Sequence, residues 1–175
     1  MSNLRLINET TVGTDVFSVN VEDVFSTDFD IYKVTIFGLE RTQGSTQTRI
    51  HMRYINNSGS VVTGSTYEYA TYRLKSNTSF TEANSTGTTY QQYGQIDEYP
   101  EGAGLVAYIF NPNNSSSYTF QLWQMMSAYN SVSIAYKGIG FEQTEASYTG
   151  FQILEVSGRE FSSGTIRTYG LRVDS

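Results

Sequence analysis

The strongest constraint in this sequence is an apolar/polar alternation of period two. In "DVFSVNV", Phe17, Val19 and Val21 share one face, and Ser18 and Asn20 share the other. In "DIYKVTIF", Tyr32, Val34 and Ile36 alternate with Lys33 and Thr35. "RIHMRYI" sets Ile50, Met52 and Tyr54 against His51 and Arg53, and "SVSIAY" repeats the pattern with Val132, Ile134 and Tyr136. Side chains of a strand point alternately to opposite faces, so this period specifies strands with one face on a core and one in water. No segment carries a convincing helical period. The reading is an all-β chain, an antiparallel β-sandwich of jelly-roll type with about eight to ten strands, formed as a single domain over residues 1–175.

Two runs are more apolar than alternation requires. "GLVAYIF" (104–110) is expected to lie mid-sheet with both faces covered. "YTFQLWQMM" (118–126) puts Tyr118, Phe120 and Leu122 on one face and Trp123 and Met125 on the other, as expected of a strand between a core and a neighbour. Turn clusters separate the strands. "NNSGS" reads as a hairpin loop, and Pro112 in "NPNNSSS" stops the strand before it by removing a donor. The polar stretch around 75–100 lacks a sustained pattern and is expected to hold one weak strand and a long surface loop.

Composition limits the chemistry. The chain has no cysteine, which excludes disulfides and thiolate metal sites. A formal net charge of -6 speaks against nucleic-acid binding, which needs a basic face. No stretch is long and apolar enough for a signal peptide or a membrane-spanning helix, so no membrane partner is expected. His51 is the single histidine, and its phase beside Arg53 points it to solvent, or to a subunit contact. Asp28 and Asp30 are too few oxygen ligands for calcium and read as a soluble strand entrance. Asp97, Glu98 and Glu101 form an acidic cluster that reads as a solvated loop; as paired carboxylates they would do glycosidase chemistry. Neither an enzyme nor a cofactor is expected. The mid-chain tyrosines, above all Tyr93 and Tyr99, and Trp123 are candidates for stacking on a sugar or a protein, since each joins an apolar ring to a hydrogen-bonding group.

The closing segment adds two candidates. "FQILEV" and "TIRTYGLRV" read as a hairpin-like pair joined through "SGREFSSG". Alternation from Ile166 points Thr168 and Gly170 inward and leaves Tyr169, Leu171 and Val173 opposite. Either a bulge at Gly170 shifts the phase, or both faces are covered, one of them by a neighbouring subunit.

Three segments carry a resemblance. "VFSVNVEDVFSTDFDIYKVTIFGL", "AYIFNPNNSSSYTFQLWQ" and "FQILEVSGREFSSGTIRTYGL" together resemble the jelly-roll virion proteins of tailed bacteriophages, especially phages of marine and cyanobacterial hosts. The resemblance implies a building block of the virion. A capsid decoration or cement protein is the leading expectation, because no fibre shaft or tail anchor is visible. Its expected partners are further copies of itself, a trimer being the expected assembly, and the major capsid protein. A receptor-binding or accessory protein of the tail, contacting tail proteins or a host surface glycan, is the alternative.

Overall fold

The computed structural model describes residues 3–42, 48–96, 102–129 and 132–172. Twelve strands are present among them: β1 (Leu4–Thr11), β2 (Ser18–Val21), β3 (Ile31–Arg41), β4 (Thr48–Asn56), β5 (Tyr67–Lys75), β6 (Thr81–Thr88), β7 (Gln91–Ile96), β8 (Ala103–Phe110), β9 (Thr119–Tyr129), β10 (Val132–Glu142), β11 (Tyr148–Leu154) and β12 (Phe161–Leu171). They form an eight-stranded sheet, in the order β1-β12-β3-β8-β9-β10-β5-β6, and a four-stranded sheet, β2-β11-β4-β7. Every pairing is antiparallel.

The order follows a simple rule. β1 pairs with β12, β2 with β11, β3 with β8, and β4 with β7. These nested pairs are those of one long hairpin rolled into two facing sheets, which is the jelly roll. Two hairpins are inserted into it: β5–β6 between β4 and β7, and β9–β10 between β8 and β11. Both add to the same sheet and double its width from four strands to eight.

The alternation places the core as expected. Tyr32, Val34 and Ile36 of β3, Ile50, Met52 and Tyr54 of β4, and Trp123 and Met125 of β9 are all buried between the sheets. Large rings need small partners. A Cβ at Gly138 would lie 2.3 Å from the Trp123 ring, so β10 carries a glycine directly opposite Trp123. The "NNSGS" segment closes as a tight turn, with Asn56 Oδ1 accepting from the backbone N–H groups of Ser58 and Ser60, each at 3.0 Å. Ile55 bridges to Val61 across it, but the strands on either side, β4 and β5, lie in different sheets, so it is not the hairpin loop between two strands that the sequence suggested.

Four further expectations change. The polar stretch after Lys75 contains two strands, β6 and β7, rather than one weak strand and a long loop. β6 is a sheet edge exposed on both faces, so backbone pairing to β5 holds it and no apolar alternation marks it. β8 is mid-sheet, but only one of its faces is covered, and Val106 on the other face is exposed. β11 and β12 are not a hairpin; they lie in different sheets. β12 runs without a register shift from Thr165 to Leu171 against β3, so no bulge occurs at Gly170. The ring of Phe29 fills the space over that glycine, where a Cβ would be 2.5 Å from it.

Candidate functional site: an apolar outer sheet face

The unusual feature of this molecule is the solvent side of its eight-stranded sheet. Cross-strand register aligns its outward side chains in rows. One row runs Leu4, Leu171, Ile31, Phe110, Phe120, Phe141, each residue paired to the next on the adjacent strand. Six strands in succession contribute an apolar side chain, and the row ends at Glu68 of β5. The row beside it runs Leu6, Tyr169, Lys33, Tyr108, Leu122, Ile139, Ala70. Lys33 breaks that row by charge only, since its methylene stem can lie along its neighbours.

Strands about 4.8 Å apart and residues of one face about 7 Å apart make this band roughly 25 Å by 14 Å, on the order of 350 Å² of sheet. Leu6 is 50% exposed, Phe120 45%, Leu122 41% and Ile139 64%. An apolar patch of about 350 Å² is in the size range of the largest patch on a soluble domain, and such patches are often functional. The ring of Phe141 packs against Phe120 at 5.9 Å and Tyr118 at 6.4 Å, which stiffens this part of the band. Two hollows indent it. One, of about 600 Å³, lies among Phe120, Leu122, Ile139, Phe141 and Ala70, with Asn84–Thr86 of β6 as its far wall. The other, of about 430 Å³, lies at the opposite end among Leu4, Ile31, Leu171 and Tyr108, with Lys33 and Arg172 at its rim.

Tyr169 and Leu171 therefore fall on this face, both half-buried and in adjacent rows. Tyr93 and Trp123 do not. They are core residues, 1% and 0% exposed, with their rings edge-to-face at 5.1 Å. Trp123 Nε1–H donates to the Tyr93 carbonyl at 3.0 Å, and the Tyr93 hydroxyl donates to Gln121 Oε1 at 2.9 Å. Their polar atoms are spent inside the sandwich, so neither ring can stack on a sugar or a partner. Alternation along β9 put Trp123 opposite Phe120 and Leu122, and that phase is the signal that separates core from surface here. Tyr99, Asp97, Glu98, Glu101 and Val173 lie outside the described residues.

His51 also moves inward. It is 1% exposed rather than solvent-facing, covered by the ring of Tyr90 at 4.2 Å. Its Nδ1 has no hydrogen-bond partner among the described residues. Burial lowers its pKa to about 4; nearby Glu155 opposes this, and Arg49 and Arg53 reinforce it. Glu155 is occupied in capping its own turn. It accepts from Ser157 Oγ at 2.5 Å and from Ser157 N and Arg159 N, both at 2.8 Å. Burial pushes its pKa up, but these bonds, the Ser157 hydroxyl foremost, hold it below the ordinary value. Asp28 and Asp30 are exposed, and no group of three or more His, Asp or Glu side chains converges as a metal site among the described residues.

Glu142 is the most deeply buried carboxylate described. It accepts from the Tyr148 hydroxyl and from Thr144 N at 3.0 Å and Thr144 Oγ1 at 2.7 Å. Every one of these bonds is local to the turn after β10, so the carboxylate works as a structural cap. Comparison with family models, with curated proteins and with solved structures finds no match for this chain.

Proposed function

We propose that this chain is a structural protein of a tailed-bacteriophage virion, a jelly-roll domain that decorates or cements the capsid. The observation that carries the reading is the unbroken apolar row across six strands of the outer sheet face. A domain that docks on a protein shell buries such a face and gains from its apolar area. The three resembling segments support the same reading: they supply β2 and β3, β8 and β9, and β11 and β12, and β3, β8, β9 and β12 build the face. Docking across the junctions between capsid subunits stabilises the shell by linkage, because the protein binds the assembled state and not the dispersed one. Copies related by closed symmetry, three around a local threefold axis, are the assembly proposed for it.

The test is its position in purified particles, by protein mass spectrometry of the virion followed by a low-resolution density map. Density on the capsid surface is expected. Finding the chain in infected-cell lysate and never in particles would sink the virion reading. Density on the tail would overturn the capsid assignment alone.

A further inference from the structure

A second surface, which shares no residue with the apolar band, lies at the seam between the two sheets. There β5, β6 and β10 of the large sheet meet β4 and β7 of the small one around a cleft of about 180 Å³. At about 30 Å³ per water this is room for about six waters, or one small polar molecule. Arg49, Arg73, Gln92, Gln95, Tyr136 and Glu82 line it.

Neutral groups hold the Arg73 guanidinium in place. Its Nε donates to Thr81 Oγ1 at 2.9 Å and its Nη1 to Gln95 Oε1 at 3.4 Å. The Tyr136 hydroxyl donates to the same Gln95 oxygen at 2.9 Å. Arg49 is exposed. Neither arginine makes an ion pair among the described residues, in a chain where 17 acidic residues outnumber 11 basic ones. Two planar, permanently charged guanidiniums thus share one cleft: Arg49 makes no side-chain hydrogen bond among the described residues, and Arg73 keeps its Nη2 group for a ligand.

We propose that this cleft binds the carboxylate of an acidic sugar. The charge count selects the anion: two guanidiniums and the Glu82 carboxylate leave one net positive charge, which balances a monoanion. A phosphate dianion would leave surplus negative charge beside Glu82. The remaining lining selects the body of the ligand. The amide of Gln92, the hydroxyl of Tyr136 and the Glu82 carboxylate together donate and accept, as sugar hydroxyls require. This inference stands apart from the capsid reading, and either can fail without the other.

Titration calorimetry of the full chain with glucuronate and galacturonate tests it, with glucose, inorganic phosphate and a short oligo-aspartate peptide as competing probes. Binding of at least one uronate is expected, weakened at least about tenfold in Arg49→Gln with an unchanged melting temperature. Arg49 serves as the test position because its removal breaks no hydrogen bond among the described residues. Arg73→Gln should weaken binding as well, and circular dichroism checks that it still folds. The proposal is overturned if neither uronate binds, if glucose binds as well, if phosphate or the peptide binds more tightly, or if Arg49→Gln binds like the parent.

Discussion

At Gly138 a single methyl group has no room, because the Trp123 ring already occupies the place of its Cβ. Overpacking of this kind costs about 1–3 kcal/mol, so Gly138→Ala should lower the urea midpoint by a corresponding amount. An unchanged midpoint would show that the ring can move aside. His51 gives the molecule a pH dependence of definite sign. Unfolded, its pKa is near 6.5; folded, burial holds it at about 4. The folded state therefore binds the proton less readily. This contribution is complete above pH 6.5 and is lost as pH falls toward 4, by about 3 kcal/mol at most. Urea denaturation from pH 7 to 4 should show that loss in the parent and a shallower one in His51→Gln. Parallel curves would remove His51 as the cause. Burial of His51 was not legible in "RIHMRYI", since alternation says which face a residue is on and not what covers that face.

At the scale of elements, β12 has the greatest leverage. It lies between β1 and β3, and its Phe161, Ile166 and Thr168 are fully buried. A chain ending at Gly164 would leave β1 without its partner and turn β3 into an open edge, so it should not fold at all; a soluble truncate with a cooperative melt would contradict this. Strong alternation made β3, β4 and β10 readable from the sequence. β6 and β7 were not, because each is held by something other than an apolar stripe. β6 presents Thr, Glu, Asn and Ser to solvent on both sides. β7 buries Gln91, whose side-chain amide donates to the Phe141 carbonyl at 2.8 Å. The apparent β11–β12 hairpin failed for a different reason: at this point of the rolled hairpin the chain crosses from the four-stranded sheet to the eight-stranded one, so the two strands do not pair.

The whole molecule is a rolled hairpin widened by two smaller ones, and the widening creates its most distinctive surface. Without β9 and β10 the outer row would stop at Phe110, and Phe120, Leu122, Ile139 and Phe141 would be absent from it. If this face docks on a shell, a charge at either end of the band should weaken attachment to particles while sparing the free chain. Ile139→Glu and Leu6→Glu replace exposed side chains, and such surface changes usually alter stability by no more than about 0.5 kcal/mol. Each variant should co-sediment less with particles than the parent, at an unchanged melting temperature. Full retention of both on particles would place the contact elsewhere.

The sequence by itself determined the fold class, most strand positions and the inward phase of the core, because those follow from neighbours along the chain. Ile166, Thr168 and Gly170 point inward and Tyr169 and Leu171 outward, just as their spacing requires. Only the tertiary structure decided which outward residues meet. Leu4 and Phe141 belong to one row because six strands, separated in sequence by turns and by the other sheet, come into register. Arg49 and Arg73 share a cleft because two sheets close on each other. Tyr93 and Trp123, candidates for stacking on a partner, are core in the fold: alternation sorts the residues of a strand onto two faces, and the packing of the second sheet decides which face is inside.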